Sequence, residues 1–220
     1  MTGRAILRLI RKPGREEMRA VRGYQISMIM QDPKFSLNPV LKVGQQIMEA
    51  YQVHTKGSTA EARQKTLDML EAVAIRDPER VFNAYPHEMS GGMGQRVMIA
   101  MMMIPDPKIL IADEPTSALD VSVQTQVLDI MDKLVRDRGM GLIFISHDLN
   151  LVASFCDRVL IMYGGRVVEV CDADKLHEAK HPYTRGLLNS LPQLDKPREK
   201  LEVLKRDPAW RDEPSVSGVL

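Results

Sequence analysis

Short apolar segments recur along the chain at the length expected of β-strands. Four of them have strand composition, and three run apolar without the alternation of a half-exposed strand. Continuous apolar runs are typical of strands that are buried on both faces of a parallel sheet. The pattern therefore predicts strands at 26–30, 109–112, 141–146 and 158–163.

The segments between these apolar runs have helical periodicity. Between residues 121 and 138 the apolar positions follow a helical repeat, and Gly139 comes where a left-handed helix cap belongs. A strand, a helix and a strand in that order imply a right-handed crossover between parallel strands. Residues 41–81 are polar and helical without a strand candidate. They predict a helical subdomain inserted in an α/β core.

The last part of the chain has a different texture. Gly164 and Gly165 separate the segments 158–163 and 166–170, which predicts a tight hairpin that closes the sheet. A short helix is expected at about 183–191. Beyond it proline recurs and hydrophobic density falls, so we expect an extended or mobile end.

Composition narrows the class of protein without naming a function. The 220 residues are 44% hydrophobic, and 30 basic against 29 acidic side chains leave a formal charge of +1. There is no global basic field, so nucleic acid is not an expected partner. The two cysteines, Cys156 and Cys171, lack metal-ligand spacing and suit a reducing compartment. The longest apolar run, 97–104, is far shorter than the roughly 20 residues of a membrane span.

Two adjacent carboxylates follow the predicted strand at 109–112. Asp113 and Glu114 stand just before Pro115, and open α/β sheets bind their ligands at the carboxyl ends of strands. One carboxylate there can hold the Mg²⁺ of a nucleotide, and its neighbour can orient or polarise an attacking water. The alternative is a strand that ends in a polar turn, with both carboxylates merely solvated.

A serine and two glycines precede the apolar helix predicted at 97–103. Ser90 is a good helix N-cap, and Gly91 and Gly92 leave the first turn without side chains. Backbone N–H groups and the helix dipole can then meet a phosphate. The alternative is a flexible cap that binds no anion.

Two further polar residues follow predicted strands. Gln31 follows the strand at 26–30, where its amide could reach a metal ion or the lytic water. His147 follows the strand at 141–146, where its imidazole could hydrogen-bond a γ-phosphate. The alternative for His147 is a structural role as the cap of the next helix, at 149–155.

In their order along the chain, these segments resemble the ATPase subunit of ATP-binding cassette (ABC) transporters. Gln31 matches the Q-loop of that family, residues 90–93 its signature, and residues 117–120 its D-loop. Asp113 and Glu114 match the Walker B pair, and His147 matches the switch histidine. The resemblance implies that Glu114 and His147 are catalytic and that Asp113 and Gln31 hold Mg²⁺. It assigns nucleotide contacts to Gln31, Ser90, Gly91, Gly92, Met93, Gln95 and Asp120.

The resemblance also implies an architecture and partners. Residues 1–192 would form a RecA-like parallel-sheet core that binds ATP and Mg²⁺, with a helical subdomain inserted at about 40–105. Residues 193–220 would be a mobile C-terminal extension. Two ATPase subunits would dimerise head to tail, so that the signature of one contacts the nucleotide of the other. Asp120 would lie at the dimer interface.

The location follows from the same resemblance. The dimer would lie peripherally on the cytoplasmic face of the inner membrane, bound to transmembrane permease subunits. Through them an extracytoplasmic substrate-binding protein would be an indirect partner. Four segments narrow the resemblance to the importers of dipeptides, oligopeptides and nickel: residues 31–33, 36–39 and 85–88 and the tail at 181–188.

One expected motif is missing from the sequence. No glycine is followed by lysine, so the phosphate loop G-x-x-x-x-G-K-[ST] is absent. From this we expect an N-terminally truncated cassette that does not hydrolyse ATP as written. The alternative is a degenerate, non-hydrolysing subunit that lends only its signature helix to an asymmetric dimer. The retained Glu114 and His147 favour the first reading.

Overall fold

The computed structural model describes residues 14–32, 36–190, 204, 207–211 and 214–216. These residues belong to two compact units, with the boundary between Ile145 and Ser146. In the first unit the strands are β1 (Ile26–Ile29), β2 (Ile109–Asp113) and β3 (Gly141–Ile145). Its helices are α1 (Arg15–Arg19), α2 (Val43–Gln52), α3 (Thr59–Ala72), α4 (Pro78–Asn83), a 3₁₀ turn (Pro86–Glu88), α5 (Gly91–Met103) and α6 (Val121–Asp137).

The three strands form a parallel sheet in the order β1-β2-β3. Ile29 pairs with Ala112, and Ala112 pairs with Phe144. Parallel strands connected through helices confirm the predicted α/β class. The elements from Val43 to Met103 are helical, as the sequence predicted for residues 41–81.

The prediction that these strands are buried on both faces is wrong. Burial alternates instead: Ser27, Ile29 and Leu110 are buried, whereas Met28 and Ile143 on the other face are exposed. Within the described residues, the helices of the first unit cover one face of the sheet more completely than the other. An apolar run cannot reveal this difference, because both faces of such a strand have the same composition.

The two helices that flank β2 begin at side-chain caps. Ser90 caps α5, and the middle of that helix is fully buried from Val97 to Ala100. Asp120 caps α6, which ends where Gly139 adopts φ 60°. The apolar face of α6, including Val127 and Met131, is buried, as its periodicity predicted.

The second unit contains α7 (Leu149–Phe155), β4 (Arg158–Tyr163), β5 (Arg166–Asp172), a 3₁₀ helix (Ala173–Glu178), α8 (Pro182–Asn189) and a 3₁₀ turn (Pro208–Arg211). The predicted hairpin is present, but among the described residues β4 and β5 form an antiparallel sheet of their own and pair with no strand of the parallel sheet, so the prediction that the hairpin closes that sheet is wrong. The two glycines at 164 and 165 predict the turn of the hairpin, but they do not indicate which sheet its strands join.

The described residues of the C-terminal segment pack against this second unit. The backbone N–H of Val216 donates to the carbonyl of Val167 at 2.9 Å, and Trp210 is 8% exposed. Leu204 occupies the space next to Gly186, where a side chain at position 186 would collide with it. The other positions of the extension expected to be mobile lie outside the described residues. Within the described part of the chain, no helix combines the length and apolar character needed to cross a bilayer.

Candidate functional site

Gln31 and Glu114 meet at the carboxyl ends of β1 and β2. The register pairs Ile29 with Ala112, and each of the two polar residues lies two positions beyond its member of that pair. The Gln31 Nε2 donates a hydrogen bond to the Glu114 Oε2 at 2.9 Å. Parallel pairing thus brings together two side chains that are 83 residues apart in sequence.

The backbone of Glu114 is held in an unusual conformation. Its φ of 46° lies in the left-handed region, which is uncommon for a residue other than glycine. Its N–H donates to the carbonyl of Ile145 at 2.9 Å. The carbonyl of Glu114 accepts two hydrogen bonds from Ser117, one from the backbone N–H at 3.3 Å and one from the side-chain Oγ at 3.2 Å. Strained backbone that is fixed on both sides is typical of functional sites.

The residues expected to hold Mg²⁺ offer suitable oxygen atoms. Asp113 is the last residue of β2, opposite Ile145 of β3. Because the amide nitrogen of Gln31 donates to Glu114, the amide oxygen is the atom of Gln31 that can serve as a ligand. The described residues contain no cluster of three or more His, Cys, Asp or Glu side chains suited to a metal. Nucleotide-bound Mg²⁺ needs few protein oxygens, since phosphates and waters complete its shell, so Asp113 and Gln31 fit it.

The start of α5 has one open and one crowded glycine. The Ser90 Oγ accepts from the N–H of Met93 at 3.4 Å. A Cβ on Gly91 would meet no atom within 4 Å, whereas a Cβ on Gly92 would lie 2.7 Å from the Val123 Cγ1. The open side at Gly91 leaves room for an anion at the helix N-terminus.

Gln95 is expected to contact nucleotide, and that contact stays a prediction. Its side chain is 2% exposed, so in this structure it is packed inside the first unit. It is four positions after Gly91, and an α-helix places such a residue just over one turn further along its axis. The sequence alone does not show which residues at the start of α5 are exposed and which are buried.

Asp120 is exposed and firmly held at the start of α6. Its Oδ1 accepts from the N–H of Val123 at 3.0 Å and from the Oγ of Ser122 at 2.9 Å. The N–H of Val123, followed by the hydroxyl of Ser122, lowers the pKa of the Asp120 carboxyl. Asp120 is therefore charged at neutral pH and fixed in orientation.

His147 belongs to the second unit and is exposed. The alternative that it caps the following helix is wrong, because Asp148 is the cap. The Asp148 Oδ1 accepts from the N–H groups of Asn150 at 3.0 Å and Leu151 at 3.1 Å. A shared site for His147 and Glu114 stays a prediction.

Two residues near these segments were missed in the sequence. Arg96 donates to the carbonyl of Ala74 at 3.1 Å and to the Oε1 of Gln126 at 2.7 Å. Gln46, which is buried, exchanges hydrogen bonds with the backbone of Asn38 and so fixes the position of Asn38. Arg96 stands four positions after Gly92, but nothing in the sequence identifies the partners of either side chain.

Comparison with known proteins gives a consistent assignment. Residues 4–117 match the model of the ABC transporter family, and residues 168–217 match the C-terminal region of oligopeptide/dipeptide transporters. The chain is 51% identical to a probable peptide ABC transporter ATP-binding protein, y4tR, of Sinorhizobium fredii, over 90% of this chain and 58% of that protein. It is 46% identical to the oligopeptide transport ATP-binding protein OppD of Escherichia coli, over 94% of this chain and 60% of that protein.

A solved structure of an ATP-binding cassette has a fold similar to that of this chain. It is a dimeric ATP-binding cassette, MJ0796, in a post-hydrolysis state bound to ADP and phosphate. The TM-score is 0.65 at 27% identity, covering 74% of this chain and 68% of that one. The chain spans about three fifths of the length of the curated relatives named above. Since the family model covers just over half of the 220 residues, the chain belongs to the ABC transporter family.

Proposed function

We propose that this chain is part of the ATP-hydrolysing subunit of a peptide importer. The hydrogen bond between Gln31 and Glu114 carries the proposal, because it joins two polar residues at the edge where this fold binds its ligands. The two matching family models and the names of the relatives support the same assignment.

Glu114 would act as the residue that orients and polarises the attacking water. A carboxylate in that role must keep one orientation, since misplacement weakens its effect on the water. The strained backbone of Glu114 is fixed by Ile145 and Ser117, and its carboxylate is fixed by Gln31. The strain therefore contributes to a preorganised site.

Asp113 and Gln31 would hold Mg²⁺ with ATP. The ion, when bound, neutralises charge on the phosphates. The open turn at Gly91 would receive the phosphates of the nucleotide held by a second ATPase subunit, with Ser90 completing the cap. His147 would sense the γ-phosphate. Asp120, charged and fixed, would face the partner subunit.

A groove of about 220 Å³ in the helical part would receive the permease. Its apolar wall contains Val81, Ala84, Met89 and Met93, and Arg80 also lines it. Methionine side chains adapt to irregular partner surfaces. Because Met93 belongs to the first turn of α5, a permease segment bound here would contact the signature directly. The subunit would then lie peripherally on the cytoplasmic face of the membrane.

Peptide uptake tests the proposal. Membrane vesicles that contain the full-length subunit and its transport complex should accumulate labelled oligopeptide with ATP on the cytoplasmic side. Uptake of Ni²⁺ in parallel distinguishes the two substrate classes of the subfamily. ATP-dependent uptake of neither substrate would contradict an importer. Uptake that is unchanged by Glu114→Gln would instead favour the non-hydrolysing alternative.

A further inference from the structure

The contacts between α5 and α6 lie along one face of each helix. Gly92 and Arg96 are four positions apart on α5, and Val123 and Gln126 are three apart on α6, so each pair shares a helix face. The backbone of Gly92 approaches Val123 so closely that a Cβ on it would lie 2.7 Å from the Val123 Cγ1. One turn further along, the Arg96 Nη2 donates to the Gln126 Oε1 at 2.7 Å.

Arg96 also reaches the turn that follows α3. Its Nη1 donates to the carbonyl of Ala74 at 3.1 Å. Ala74 has φ 57° at the end of α3, where its N–H bonds to the carbonyl of Glu71 at 2.8 Å. The planar guanidinium holds these two acceptors in a fixed geometry, which a flexible ammonium group cannot do.

The guanidinium is packed tightly at this junction. Its Nε is buried and has no hydrogen-bond partner in the described part of the chain. Burial of a polar group without a partner is unfavourable. Arginine is therefore suited to this position by its two terminal nitrogens, whose acceptors are the carbonyl of Ala74, just beyond the end of α3, and the side chain of Gln126 on α6.

We propose that Arg96 is a positioning residue that fixes the Ser90 turn of α5 against the Asp120 turn of α6. These turns are linked by the contact between Gly92 and Val123, because the N–H of Val123 donates to Asp120. Arg96 prevents the helices from sliding, so the two turns move as one body. The inference rests on the proposed function, in which both turns face the partner subunit.

Amide hydrogen exchange of the full-length subunit tests, independently of activity, whether Arg96 fixes the Ser90 turn against the Asp120 turn. Arg96→Ala removes both hydrogen bonds of the guanidinium, and Gln126→Ala removes one. In the Arg96→Ala variant, the amides of Met93 and Val123 should exchange about tenfold faster, because their acceptors are no longer fixed. Gln64→Ala is the matched control, since Gln64 is exposed on α3 and bonds to Asp68.

Turnover of Mg-ATP by the assembled transporter tests the consequence. Arg96→Ala should lower kcat about tenfold, and Arg96→Lys should have a smaller effect. Gln126→Glu should preserve kcat, because a carboxylate also accepts from the guanidinium. The affinity of the isolated full-length Arg96→Ala subunit for ATP should stay within about twofold of the wild-type value, because the Ser90 turn contacts the nucleotide held by the partner subunit.

Unchanged exchange at Met93 and Val123 in Arg96→Ala would overturn the inference. Faster exchange spread evenly over the first unit would also overturn it, because that result indicates general destabilisation. A wild-type transporter without ATP turnover would contradict the proposed function instead. In that case the exchange rates still decide whether Arg96 locks the two turns.

Discussion

Replacing Trp210 by alanine should destabilise the second unit strongly. The indole is 8% exposed and lies among three other rings, with centroid distances of 5.9 Å to Tyr163, 5.8 Å to His181 and 6.1 Å to Tyr183. These distances are within the range of favourable edge-to-face aromatic pairs. The side chain therefore joins the C-terminal segment to both the hairpin and α8.

The magnitude follows from the buried area. A tryptophan buries about 150–250 Å², which corresponds to about 4–6 kcal/mol at the usual coefficient. Measured truncations of large buried aromatic side chains cost about 3–5 kcal/mol, and we expect Trp210→Ala to fall in that range. Trp210→Phe retains one ring and should lose about half as much.

Guanidinium unfolding of the full-length protein, followed by circular dichroism, measures both variants. Trp210 is the only tryptophan of the 220 residues. The fluorescence difference between wild type and Trp210→Phe therefore reports its environment, which should be apolar and shielded from iodide. A loss of unfolding free energy below about 1 kcal/mol in Trp210→Ala would show that Trp210 is not packed in this ring cluster. Full quenching of Trp210 by iodide in the native state would do the same.

Three further predictions concern the first unit. The Val123 N–H lowers the pKa of the Asp120 carboxyl in the folded protein. The stabilisation by that carboxylate is therefore present above about pH 4 and is lost as the pH falls through the lowered pKa. Asp120→Asn should reduce this acid dependence of the unfolding free energy, measured by urea titration at several pH values. Gly92→Ala should cost about 1–3 kcal/mol through its clash with Val123, and Val123→Ala should relieve that clash in a double-mutant cycle. Gln46→Ala should cost about 1–3 kcal/mol, because it removes the hydrogen bonds that this buried side chain makes with the backbone of Asn38. Gln45→Ala, at an exposed position, should cost less in the same unfolding assay.

The helices of the fold were accessible to sequence reasoning because their signals are local. Ser90 and Asp120 cap α5 and α6, and Gly139 ends α6 in the predicted left-handed conformation. Helical periodicity and caps involve residues within a turn or two of one another. For the same reason the strands β1 to β3 fall at the predicted places.

Properties that depend on distant partners were less accessible. The sheet that β4 and β5 join and the exposed face at Ile143 follow from tertiary packing. The sequence placed Gln31 and Glu114 after strands, but their hydrogen bond depends on the register between β1 and β2. Trp210 lies in a segment of low hydrophobic density, where composition gives no signal of a buried residue.

Single-turnover phosphate release from Mg-ATP tests directly whether Glu114 acts on the attacking water. The full-length subunit and its Glu114→Gln variant should be compared in the same transport complex, with nucleotide binding measured alongside. The Glu114→Gln variant should bind ATP normally and release phosphate at least about a hundredfold more slowly. Equal rates of phosphate release from the two proteins would contradict this role of Glu114.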